Sequence, residues 1–142
     1  MKSILLTILA FFVFSGLVHA EGKSSVPYET REEIYSDIFL LMISPQIEAA
    51  INKYYSKTLT ENPQVYPYMI DVVLAKRVDT SFSFIVTLDV TPVVGPHISV
   101  GRDRLTFKVS PGIAPSQAKL IKYEHLETHE LPSHWKRIVR HT

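Results

Sequence analysis

The apolar positions of this chain change their spacing twice. They run almost unbroken from Ile4 to Val18, recur every third or fourth residue from Ile34 to Tyr54, and alternate with polar residues from Tyr68 onward. The first pattern suits a targeting segment, the second an amphipathic helix and the third half-buried strands.

The helix has a start signal. Thr30-Arg31-Glu32-Glu33 carries the capping-box spacing, in which a hydroxyl accepts the third amide and a carboxylate reaches back to the cap. Ile34, Ile38 and Leu41, then Ile47, Ala50, Ile51 and Tyr54, form one apolar stripe. Pro45 removes an amide inside it, which gives either one kinked helix or two helices with Ser44 as the second cap; two segments packed as one unit are expected. Lys57 to Pro67 reads as a loop.

The period-two region predicts four strands. Tyr68 to Val78 is the first, with Ile70, Val72 and Leu74 on one face. In the second, Phe82, Phe84, Val86, Leu88 and Val90 form a core face, while Ser83, Ile85, Thr87, Asp89 and Thr91 make a mostly wet one. Pro92 to Arg102 holds two prolines and two glycines and is expected as a long loop. Leu105, Phe107 and Val109 mark the third strand, Ser110-Pro111-Gly112 a turn, and Ala118 to Leu126 the fourth. The expected fold class is α+β, an N-terminal helical unit on a curled four-stranded antiparallel meander of cystatin-like shape.

Before the domain, Lys2, the apolar run and Val18-His19-Ala20 have the order of a secretory signal with a cut after Ala20. The alternative is an anchor, but about 15 apolar residues fall short of the roughly 20 that span a bilayer. The organisation is then a signal peptide over 1–20, a flexible lead over 21–29, one domain over 30–126 and a C-terminal extension over 127–142 with a short helix. The expected address is secreted or extracytoplasmic, with no membrane span after cleavage.

Composition narrows the function classes. Cysteine is absent, so packing alone holds the domain and no thiolate nucleophile exists. Lys2 leaves with the signal, so the fifteen basic residues become fourteen, equal to the fourteen acidic ones. A net charge of zero gives no electrostatic case for nucleic acid. No nucleophile elbow, phosphate loop, zinc-protease motif or EF-hand loop is present, and no catalytic residue, cofactor or metal is assigned.

Three features carry candidate chemistry. His125 and His129 with Glu130 have a spacing that binds a transition metal on a helix, yet at the end of a strand it sets the rings about 13 Å apart, and exposed tail histidines are the expectation. Trp135, Ile138 and Val139 against Lys136, Arg137 and Arg140 form a basic amphipathic segment that either docks on the domain or lies on an anionic membrane. Gly95, Pro96 and His97 form a stiff corner that presents a titratable ring, and they are the expected binding residues. Asp71, Asp89 and Glu124 are the sheet carboxylates expected close to His97.

Gly95-Pro96-His97 followed by Leu105-Thr106-Phe107-Lys108-Val109-Ser110-Pro111, together with the helix from Leu40 to Asn52-Lys53-Tyr54-Tyr55, resembles a family of small exported proteins of unknown function from Gram-positive spore-forming bacteria. The resemblance covers Glu33 to Tyr123. It departs at Ser99-Val100-Gly101, where the family carries a tyrosine-glycine pair, and it leaves residues from about 126 onward unexplained. It implies the fold and the exported address but no activity.

The sequence thus points to an exported, non-enzymatic binding module whose partner is an extracellular protein or cell-envelope component. The competing class is a hydrolase of cell-wall or peptide substrates with His97 as acid or base.

Overall fold

The computed structural model describes residues 30–114 and 116–140. The signal peptide expected over 1–20 and the lead to residue 29 lie outside the described residues.

One helix, α1 (Arg31–Tyr55), precedes all strands. Its capping box is formed: the Thr30 side chain accepts the Glu33 amide at 3.2 Å, and the Thr30 amide donates to Glu33 Oε2 at 2.6 Å. Contrary to the expected two segments, α1 runs unbroken through Pro45. The proline deprives the Leu41 carbonyl of its partner, but Leu41 and Pro45 are exposed, so water reaches that group. Ser44 Oγ meanwhile donates to the Leu40 carbonyl at 2.7 Å.

Continuity moves the apolar stripe. A helix with no break has no phase slip at Pro45, so the face that ends in Ile47, Ile51 and Tyr55 extends back through Ile43 to Leu40. Those residues are buried, whereas Ile34, Ile38 and Leu41 are exposed.

The α+β class holds: α1 packs on a four-stranded antiparallel sheet in the order β1 (Ile70–Arg77), β2 (Phe84–Val90), β5 (Gly101–Val109), β6 (Ala118–Thr128). Val86, Leu88 and Val90 oppose Phe107, Leu105 and Asp103 on the inner face. Phe107, Leu105, Leu88, Ile47 and Ile51 are wholly enclosed there. Phe82 is exposed before β2 begins.

Two features of the sheet differ from a regular alternation. Val73 is an extra residue in β1, so Ala75 rather than Leu74 pairs with Val86, and Leu74 turns to the outer face opposite Thr87. The outer face is also not mostly wet: Thr87 and Asp89 are buried. Arg104 Nε and Arg102 Nη2 reach Asp89 at 2.6 and 2.8 Å, and their long side chains cover it. Asp71, Asp89, Arg104 and Glu124 form one row across that face.

The expected long loop from Pro92 to Arg102 is mostly ladder. β3 (Val93–Val94) pairs with β4 (Ile98–Ser99) as a small hairpin, and β5 already begins at Gly101. Burial of Val93, Val94 and Val100 drives this, since three apolar side chains cannot stay in water while core space is open to them.

After β6 a 3-10 turn spans Ser133–Ile138. Leu131 and Ile138 belong to the same core cluster as the sheet. The Thr60 amide donates to the Ile138 carbonyl and the Arg140 amide to the Thr58 carbonyl, both at 2.8 Å, so the segment docks on the domain. Ser133 makes no side-chain cap for this turn.

Candidate functional site

Two places concentrate chemistry, and a single hairpin joins them. At its tip Gly95 has φ +49° and His97 φ +61°, the left-handed region. Gly95 is required there twice over. The indole of Trp135 occupies the space of any Cβ, and the backbone angle disfavours one. Pro96 and His97 are exposed, as is Gly95 itself. The His97 ring stacks on Tyr66 at 4.8 Å, and Tyr66 stacks on Tyr68 at 5.4 Å, nearly parallel at 10°. The Tyr68 hydroxyl lies 3.2 Å from His97 Nδ1. The three rings form a triangular cluster, with the Tyr68 and His97 centroids 6.2 Å apart and Tyr68 67% exposed. The expected carboxylate partners are elsewhere: Asp71, Asp89 and Glu124 share the outer-face row.

The second place was not assigned from the sequence. Asp103 continues the inner-face alternation of Val109, Phe107 and Leu105, and it is wholly buried. Its Oδ2 accepts the Tyr55 hydroxyl at 2.9 Å, and its Oδ1 lies 2.7 Å from His125 Nδ1. The far nitrogen of the same ring, Nε2, lies 2.7 Å from Thr128 Oγ1. Ile121 is an extra residue in β6, so Asp103 pairs directly with His125, and a second extra residue at Leu126 sets Thr128 opposite Gly101. His125 also stacks on Tyr54 at 4.9 Å. It is therefore a built-in side chain and not the exposed tail histidine expected.

The cluster is electrostatically one-sided. Burial first, then the Asp103 carboxylate, pushes the Tyr55 phenol well above its usual range. The same two causes raise Tyr123, whose buried hydroxyl faces Asp103 without a well-formed hydrogen bond. Both phenols are held in their neutral form.

His125 and Thr128 open onto a groove of about 500 Å³ floored by Leu59, Val100, Leu131 and Val139, with Tyr54 and Tyr55 on one wall. A Lys136 to Glu130 ion pair of 2.6 Å closes one side. The hairpin reaches this groove too, because Ser99 Oγ lies 2.8 Å from His129 Nδ1. Among the described residues no group of three His, Asp or Glu side chains is placed to hold a metal ion.

Extending the alternation of β5 by one step from Leu105 would have put Asp103 on the core face. Its flanking Arg102 and Arg104 disguise it as a solvated charge run, and its pairing with His125 depends on the Ile121 bulge, which no periodicity reveals.

A family model described as "Protein of unknown function (DUF3888)" matches residues 35–127, which takes in α1 from Tyr35 onward, the hairpin and the sheet as far as Glu127. No curated protein and no solved structure matches the chain.

Proposed function

We propose that this chain, which belongs to the family described as protein of unknown function (DUF3888), is an exported binding module that recognises an extracellular protein or cell-envelope component through the hairpin tip. The observation that carries the reading is His97, a non-glycine residue at φ +61° whose ring stacks on two tyrosines in open solvent. Such a backbone conformation is sparsely populated, and where it persists it tends to sit at working surfaces. Exposed stacked rings offer flat apolar faces with a polar edge, which suit the C–H face of a sugar ring or a proline-bearing peptide.

Export rests on the first twenty residues. The expected mature N-terminus is Glu21, and mass spectrometry of secreted protein checks it; a membrane-bound form that retains Met1 would show an anchor.

The test of binding is co-sedimentation with purified bacterial cell walls and with extracellular protein fractions. Retention should drop in Tyr68→Ala and His97→Ala while the folded fraction stays constant. Equal retention of all three proteins would remove the hairpin tip from consideration.

The alternative, a hydrolase with His97 as acid or base, requires a further acid or base from the substrate, since the ring's hydrogen-bond partner on the chain is the Tyr68 hydroxyl. Turnover of wall or peptide substrates that vanishes in His97→Ala would replace the binding reading.

A further inference from the structure

We propose that the Asp103, His125 and Thr128 constellation is a nucleophilic site for an apolar acyl ester seated in the adjoining groove. In the neutral tautomer with its proton on Nδ1, His125 donates to Asp103 Oδ1 at 2.7 Å. Nε2 then accepts from the Thr128 hydroxyl, which faces it at 2.7 Å. A hydroxyl that donates to an imidazole oriented by a buried carboxylate has the relations of an acyl-transfer nucleophile, its base and the positioning acid.

The surroundings fit that use. Asp103 is wholly enclosed and Tyr55 occupies its second oxygen at 2.9 Å, so the imidazole cannot rotate without breaking a buried contact. Stacking on Tyr54 at 4.9 Å fixes the ring plane. Thr128, by contrast, is exposed at the end of β6, and the groove beside it is floored by Leu59, Val100 and Leu131. A purely structural polar cluster has no need to end in an accessible hydroxyl at an apolar groove.

The step balances without redox change. The Thr128 oxygen forms a bond to the acyl carbon as its proton passes to His125 Nε2. The bond from acyl carbon to alcohol oxygen breaks, and the leaving oxygen takes that proton. A water molecule then attacks the acyl-threonine, giving its proton to His125, which returns it to Thr128 as the carboxylic acid leaves. Thr128 and His125 are the catalytic residues, and Asp103 is a positioning residue.

The experiment is hydrolysis of 4-nitrophenyl acetate and butyrate by the purified protein, with mass spectrometry of quenched reactions. Turnover should fall by roughly 100-fold or more in Thr128→Ala, and Thr128→Ser should retain it. An acetyl group should appear on the peptide containing Thr128. Asp103→Asn should lower kcat per folded molecule, with the folded fraction taken from circular dichroism, and should displace the pH profile of kcat, which a loss of folded protein alone would not do. Thr128→Ala changes an exposed position, so its fold, checked by circular dichroism, stays intact. Hydrolysis by the wild type no faster than by Thr128→Ala, or activity that depends on His125 with no acyl adduct on Thr128, would overturn the proposal. Cell-wall binding through Tyr68 and His97 is a separate readout, so either result can fail alone.

Discussion

The Tyr55 hydroxyl donates to Asp103 Oδ2 at 2.9 Å across 48 positions of sequence, tying the end of α1 to the start of β5. Tyr55→Phe would remove that donor and leave a buried carboxylate short of one partner. A hydrogen bond to a charged group contributes about 1.5 to 3 kcal/mol, so unfolding in urea should show a loss of about 2 kcal/mol or more. A loss below about 0.5 kcal/mol would mean that Asp103 is satisfied without Tyr55.

Alkaline pH offers an independent check of the same cluster. Tyr55 and Tyr123 are raised by burial and by Asp103 from an ordinary value of 10.0. A raised folded value means that the folded state holds protons the unfolded state has released. Stability is therefore complete below pH 10 and should decline as pH rises beyond it. Tyr55→Phe should flatten part of that decline in melts recorded from pH 9 to 11.

Acid behaviour is governed on the outer face by Asp89, which the hydrogen bond from Arg104 holds below its ordinary 3.8, despite the opposing effect of burial. A lowered folded value stabilises above the unfolded value and is lost as pH falls through the folded one. The protein should keep this contribution to about pH 4 and lose it below. Arg104→Ala should move the fall in stability to higher pH; identical acid profiles for both proteins would show that Arg102 alone suffices.

The fold class, the capping box and the core strands were legible because they depend on neighbours in sequence. Phe107, Leu105 and Leu88 fall on the core face by alternation alone. The buried stripe omits Ile34, Ile38 and Leu41 because α1 passes unbroken through the exposed Pro45, which keeps Leu40 and Ile43 in phase with Ile47 and Ile51. The hairpin was hidden by Gly95 and Pro96, which are turn residues whether the flanks pair or not. Asp103 and His125 are partners only through cross-strand register, and the bulge at Ile121, between the turn and that pair, sets it. A composition that reads as polar tail and charge run therefore folded into the most enclosed polar cluster of the domain.

Pro45 supplies a prediction of opposite sign to most substitutions. Alanine is favoured over proline inside a helix by about 3 kcal/mol, while losing proline loosens the unfolded chain by about 0.4 to 1 kcal/mol. At this exposed site Pro45→Ala should raise stability by roughly 2 kcal/mol in denaturant melts. A decrease would show that α1 depends on a bend there.

The hairpin tip separates structure from recognition in two neighbouring residues. Gly95 is held at φ +49° with the Trp135 indole where a side chain would go. Gly95→Ala must both adopt an angle that disfavours a Cβ by about 1 to 2 kcal/mol and displace that ring. Its loss should be about 2 kcal/mol or more. His97 occupies the same region at φ +61°, but its ring points into solvent against Tyr66. His97→Gly relieves the backbone and loosens the unfolded chain by a similar amount, so the two effects nearly cancel. Stability should change by less than about 0.5 kcal/mol while retention on cell walls or extracellular partners falls. The pair of melts and binding assays thus assigns Gly95 to architecture and His97 to recognition. A His97→Gly protein that loses more than about 1 kcal/mol and binds as well as the wild type would make the aromatic cluster a structural corner.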